Sequence, residues 1–398
     1  MPRSYLLVSL LALAPFTGCW RVAASNDLRV RNVAGDDFTL EVFDNSRTLS
    51  RALAINATGQ IIGLREVADE AGTQLSEQPF FFDGQKMTTL PLLDGYTNLE
   101  IRALSDSGSV VGYASRPLGH PQGSLTGFVW DSKTGKMTRL MPAGQDTGCH
   151  AQAISADGTR ITGYTAGSLP SRMLPCLWTW SAATKTWDIQ TLDTLEEFNP
   201  YIMSSNVLIS PDGQRIVACI TVAALPNNIF DSSLFQWTRV DGQWQRQLLS
   251  DEQMNLSDIN NSGQIAGTVT TQQGRRPCRI ESSGEIKLIE LLPGDESGEA
   301  RAIDESGTVV GFSDDPAGPT GGPQAFVWSH GSTRPLALPR ATTASMAFGI
   351  NEAGQIAGLL DVASSAAAVP DSDQPDSDLD DLNIQTLAFR WTPKVSAK

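Results

Sequence analysis

Apolar and polar positions follow one another in this chain in a unit that recurs. A small or aliphatic pair, a short polar residue, two variable positions, a glycine and a second aliphatic pair appear as AINATGQIIG at Ala54, ALSDSGSVVG at Ala103 and AISADGTRITG at Ala153. The same unit continues as LISPDGQRIVA at Leu208, DINNSGQIAG at Asp258, AIDESGTVVG at Ala302 and GINEAGQIAG at Gly349. Its glycines, Gly59, Gly108, Gly158, Gly213, Gly263, Gly307 and Gly354, stand 49, 50, 55, 50, 44 and 47 residues apart. Between successive copies lies a second piece, AFVW at Ala325, matched by PFFF at Pro79, GFVW at Gly127, PCLW at Pro175, LFQW at Leu234, PCRI at Pro277 and AFRW at Ala388.

Each part of the unit predicts an element. Asn56, Ser105, Ser155, Ser210, Asn260, Asp304 and Asn351 stand three residues before their glycine, where a short polar side chain bonds the backbone of a hairpin turn. The aliphatic residues on both sides of the turn are of the kind that fill a sheet buried on both faces. Phe326 and Trp328, two apart, share one face of a third strand. A further turn leads to a fourth strand ending in Leu90, Leu140 or Ile289. Four strands in about 49 residues form a unit that cannot bury both its faces alone. A ring of seven such units can, which predicts an all-β, seven-bladed β-propeller over residues 38–391, followed by a tail at 392–398.

Two further expectations follow from the ring. The residues after Trp391 are too few for the last fourth strand, so FTLEVF at Phe38 to Phe43, which alternates as a strand does, is predicted to supply it from the N-terminal side. Gly63, Gly112, Gly163, Gly267, Gly311 and Gly358 lie within strands, where glycine marks the close approach of another backbone.

The pattern A-x-x-I-N-x-x-G-x-I-V-G, followed by A-F-x-W and a Leu-ended strand, resembles the HAF-repeat proteins of bacterial cell envelopes and secretomes over roughly residues 49–391. Where that family often has histidine before Ala-Phe, this chain has Gln324, Leu125-Thr126 and Leu387 in the neighbourhood. The resemblance implies the fold and an exported location, and it implies no substrate.

The N-terminus agrees with export. Arg3 precedes a short apolar run from Tyr5 to Phe16, a signal peptide over residues 1–18 too short for a permanent span. Phe16-Thr17-Gly18-Cys19 resembles a lipobox, so Cys19 is expected to carry a lipid anchor, with residues 19–37 as a linker. Simple secretion after Ala24 is the alternative. The formal net charge of −15 lacks the basic footprint that nucleic acid demands, so none is expected as a partner, and membrane contact is expected only through the lipid. Cys149, Cys176, Cys219 and Cys278 show no metal-ligand spacing and are read as buried thiols, with a bridge between two of them left open.

Candidate chemistry is sparse. No nucleophile elbow, phosphate loop, dinucleotide fingerprint or zinc spacing is present, so no catalytic residues are assigned. The loops between second and third strands vary in length and the first turns do not, which places an expected binding face on the loop rim, with His120, His150, Asp314 and Asp315 as contributors. Asp371, Asp373, Asp376 and Asp378 crowd an insertion whose oxygens suit Ca²⁺, yet its prolines and missing terminal Glu favour an acidic loop, and no cofactor is expected. The expected role is a binding or scaffold module for a protein or glycan partner. A glycan lyase or glycosidase using loop carboxylates, and a purely structural envelope component, are the alternatives.

Overall fold

The computed structural model describes residues 29–34, 38–44, 49–68, 75–117, 125–167, 172–192, 202–224, 229–314, 322–339, 342–363 and 384–394. All regular structure in it is β: seven antiparallel blades of four strands each, arranged around one axis. Blade 2 is representative. Asn98–Leu104 is innermost, followed outward by Ser109–Ser115, Leu125–Asp131 and Lys136–Arg139, each paired with the one before it. The innermost strands of the other blades are Ser50–Ile55, Gly148–Ile154, Ile202–Ile209, Met254–Ile259, Ser297–Ile303 and Thr342–Ile350.

The turn that opens each blade forms as its residues dictate. In blade 2, Gly108 has φ of +87°, a region open to glycine, and its N–H closes the turn on the Ser105 carbonyl at 3.1 Å. The buried Ser105 hydroxyl accepts the N–H of Ser109 at 2.9 Å.

The core sits between blades. Phe128 and Trp130, two apart in sequence, are both buried, and Trp130 meets Phe81 of blade 1 edge-on with ring centroids 5.4 Å apart. Burying these faces and their counterparts is the main favourable term, since each large apolar side chain contributes about 1.5–3 kcal/mol.

The ring closes as the strand count requires. In blade 7, Phe38–Asp44 pairs antiparallel with Ile384–Pro393, Leu40 opposite Trp391 and Val42 opposite Phe389. Leu40 and Phe389 are fully buried, Phe38 stacks on Trp391, and Glu41 forms an ion pair with Arg390. Arg29–Ala34, inside the stretch read as a linker, adds a fifth strand outside Phe38–Asp44. Blades 3 and 4 are also joined, by a short parallel pairing of Arg172 with Ile202 and Met173 with Met203. Cys149, Cys176, Cys219 and Cys278 are all buried, and none of them is in a disulfide. In Cys149, Cys176 and Cys278 burial pushes the thiol pKa up, which keeps them protonated and inert.

Candidate functional site in the propeller axis

Every innermost strand breaks register with its neighbour at the same place, just before the Ala-Ile-Asn segment. The bulged residues are Leu53, Arg102, Gln152, Ser257, Arg301 and Phe348, with two, Asn206 and Val207, in blade 4. A bulge inserts one unpaired residue and re-aims its side chain.

The strand glycines make these bulges possible. At Gly163 an added Cβ would lie 1.8 Å from the His150 carbonyl oxygen, and at Gly112 it would lie 1.9 Å from that of Glu100. The expectation of a close backbone approach is therefore met, and the approaching backbone is the bulged strand itself. Blade 4, with its two-residue bulge, carries Ala218 in this slot.

The single-residue bulges point their side chains to the axis, where they line a cavity of about 470 Å³ that extends to the rim formed by the first turns. Blade 4 contributes neither of its bulged residues to the wall, because both are used between blades: Gln152 Oε1 accepts the Val207 N–H at 2.7 Å and Asn206 Nδ2 donates to the Leu256 carbonyl at 2.6 Å.

At the turn rim the blades are linked to one another. Ala57 N–H donates to Asp106 Oδ1 at 2.8 Å, Asp106 N–H to the Ala156 carbonyl at 3.0 Å and Ala156 N–H to the Pro211 carbonyl at 2.8 Å. Asp212 N–H donates to Asn261 Oδ1 at 2.7 Å, Asn261 N–H to Glu305 Oε1 at 3.0 Å and Glu305 N–H to Glu352 Oε1 at 3.1 Å. Beneath them the amides of Asn56, Asn260 and Asn351 each donate to the carbonyl of the corresponding residue one blade on, with Asn351 reaching Asn56 across the closure.

Asp258 departs from the repeat, standing where five copies have Ala or Gly and one has Leu. It is half-buried at the cavity wall, with Oδ1 accepting the Ile259 N–H at 2.9 Å and Oδ2 the Ile303 N–H of blade 6 at 3.0 Å. Burial pushes its pKa up to about 7 against those two hydrogen bonds, and the charges of Glu305 and Glu352 push the same way. Glu352 is also raised, by burial and then by Asp304, Glu305 and Asp106.

His150 lies on the innermost strand of blade 3, its ring between Tyr113 of blade 2 at 4.2 Å and Tyr164 at 4.5 Å. Burial and the Arg102 charge lower its pKa to about 4, so the imidazole is neutral and the Tyr164 hydroxyl bonds Nδ1 at 2.9 Å. Burial raises the Tyr164 phenol to about 12. Asp314 ends the second strand of blade 6, Val309–Asp314, so the fold does not bring these two candidates together. His120, Asp315, Asp371, Asp373, Asp376, Asp378 and Cys19 lie outside the described residues. Among the described residues no three His, Cys, Asp or Glu side chains gather in a way that could hold a metal ion.

Arg102, Gln152, Ser257, Arg301, Phe348 and Asp258 were not singled out from the sequence. A signal for them exists: the column just before Ala-Ile-Asn reads Leu, Arg, Gln, Val, Ser, Arg, Phe through the seven copies, while the columns after it hold nearly constant.

No family model and no curated protein matches the chain. Solved structures do. The β-propeller domain of the Trilobed protease from Pyrococcus furiosus, described as having an open velcro topology, aligns with 78% of this chain and 89% of its own at a TM-score of 0.51 and 12% identity. Prolyl oligopeptidase B from Galerina marginata aligns with 79% of this chain at a TM-score of 0.52 and 12% identity. Pyrococcus horikoshii acylaminoacyl peptidase does so over 79% at 0.50 and 12%. The chain spans about half the length of these two peptidases, 48% and 49%. At such identity the likeness establishes the propeller fold alone.

Proposed function

We propose that the chain is an exported, lipid-anchored propeller of the bacterial cell envelope, of the HAF-repeat kind, acting as a binding module whose ligand enters the axial cavity from the turn rim. The observation that carries this reading is the bulge ring. A purely structural ring has no use for seven hydrogen-bonded turns that hold six side chains of five chemical kinds against an open space, whereas a rigid scaffold presenting variable groups side by side is how binding sites are built. The ligand is a protein or glycan component of the envelope.

Asp258 favours a second reading, a glycan-cleaving enzyme, because a carboxyl titrating at about 7 inside a cavity has the property of a general acid. Its contacts weigh against that role. Both oxygens are engaged by backbone N–H groups of blades 5 and 6, so the side chain clamps two blades together.

The test is capture of envelope and secreted material on the mature protein, compared with two variants. Ser257→Trp should fill the cavity and abolish capture, and a Gly-Ser replacement of residues 116–124 should leave it intact. The reverse outcome moves the site to the loop rim, and no specific capture by any form returns the ring to a structural role. Cys19→Ser should release the protein from the membrane fraction; an unmodified N-terminus at Ser25 would instead establish simple secretion.

A further inference from the structure

Apart from Asp258, whose two oxygens are taken up by the backbone N–H groups of Ile259 and Ile303, the charges in the axial cavity are sorted by depth. Its floor is the bulge ring, with Arg102 from blade 2 and Arg301 from blade 6, separated by the apolar Leu53 and Phe348; its mouth is the turn ring, with Asp106, Glu305 and Glu352. Arg102 has no ion-pair partner among the described residues. It donates to the Tyr113 hydroxyl at 3.3 Å, lies over that ring at 5.4 Å, and remains exposed although it belongs to the innermost strand of a ring. Arg301 is less free: it pairs with Glu299 and packs over Phe312 and Phe348.

The mouth carboxylates are held by N–H groups of the neighbouring blade, and no Lys or Arg pairs with them among the described residues. A guanidinium without a counter-ion is a seat for a carboxylate, and Arg presents its donors in a fork that matches one. The uncompensated layer above it rejects any ligand that is anionic along its whole length and favours one with a positive end at the mouth.

Distance narrows the class. Arg102 and Asp106 are four residues apart, the last of them in the turn, so the two layers are separated by roughly 10–13 Å at the rise of a strand. A free amino acid carries its two charges across one residue and is too short. An extended chain of three residues spans about 10 Å.

Resting on the axial reading above, we infer that the cavity takes a short zwitterionic peptide, about two to four residues long, with its terminal carboxylate on Arg102 and its terminal ammonium among the mouth carboxylates. The side chain beside Phe348 is then apolar. This arrangement uses both charge layers with a single ligand, and it explains why the bulge ring carries an unpaired arginine below acids that could not reach it.

Microcalorimetry on the mature chain tests this with trialanine, N-acetyl-trialanine, trialanine amide and alanine as probes. Trialanine should bind, and each blocked form should bind at least about tenfold more weakly, the usual cost of one charged hydrogen-bonding contact. Alanine should bind more weakly still. Arg102→Gln should lower the affinity for trialanine to that for the amide and leave the amide unchanged, because both changes remove the same contact, with an unaltered circular dichroism spectrum as the check on folding. Equal affinities for trialanine and its amide, or an equal effect of Arg102→Gln on both, would overturn the carboxylate seat. If trialanine fails to bind while Ser257→Trp still abolishes capture of an envelope component, the peptide assignment falls and the axial site stands.

Discussion

Two rings of residues lie on the same seven strands, three residues apart. One, formed by Asn56, Ser105, Ser155, Ser210, Asn260, Asp304 and Asn351, is nearly uniform and buried, and its polar atoms bond the turns and the next blade. The other, the bulge ring, is uneven in size and charge and, in every blade but the fourth, faces the cavity. The difference separates two kinds of constraint. A position repeated in every blade reports what every blade must do to stand beside its neighbour, and a position that varies inside that frame is released from this task. Function is therefore sought in the departures from the repeat, with the repeat itself as scaffold.

Removing the room for a bulge should have the largest effect on the fold. Gly163→Ala would set a Cβ 1.8 Å from the His150 carbonyl oxygen, a backbone atom that cannot move without shifting the innermost strand. A loss of about 4 kcal/mol or more, or failure to fold, is expected in urea denaturation. Gly267→Ala, where the same distance to the Asn255 oxygen is 3.0 Å, should cost no more than about 1–2 kcal/mol. Equal costs at the two sites would mean that the bulges are not what the glycines serve.

A smaller effect distinguishes the rings directly. Asn260 is 1% exposed, donates to Gln264 Oε1 and the Asp304 carbonyl, each at 3.0 Å, and accepts the Gln264 N–H at 2.9 Å. Asn260→Ala leaves buried partners unsatisfied and should cost about 2–3 kcal/mol. Arg102→Ala, in the bulge ring, should change stability by less than about 0.5 kcal/mol. Comparable losses from both would erase the distinction between scaffold and site.

The scaffold was legible in the sequence because it is written seven times. Turn residue, glycine and aromatic pair recur, and the alternating FTLEVF read as the closing strand pairs with the last strand as Phe38–Asp44. Arg29–Ala34 was not legible, since RVRNVA carries no turn glycine and no core-facing aromatic residue and reads as a polar linker. The axial site was hidden for a geometric reason. Period-two alternation assigns Ile101 and Ala103 to one face and Arg102 to the other, and no single copy reveals that the register breaks between them. The His150 stack needs Tyr113 and Tyr164 from two other strands, a conjunction that only the ring provides.

Asp258 belongs to neither ring, and its titration tells which one it serves. Its carboxyl is raised from the ordinary aspartate range to about 7 by burial, so between these values the folded state holds a proton that the unfolded chain has released. Stability from this group is then greatest at low pH and declines as pH rises from about 4 to 7, because in that window the folded state binds more protons. Relative to an Asp258→Asn variant, whose amide is neutral throughout, the wild type should lose roughly 2–3 kcal/mol between pH 5 and pH 7.5 in parallel urea titrations. At pH 5 the two should be close, since the protonated acid and the amide each keep one acceptor oxygen for the N–H of Ile303 or Ile259. A difference independent of pH would show that Asp258 is ionised in the folded protein at pH 5, held so by its two N–H donors. A pH-dependent difference that trialanine abolishes would mean that the carboxyl reports on the cavity as well as on the clamp between blades 5 and 6.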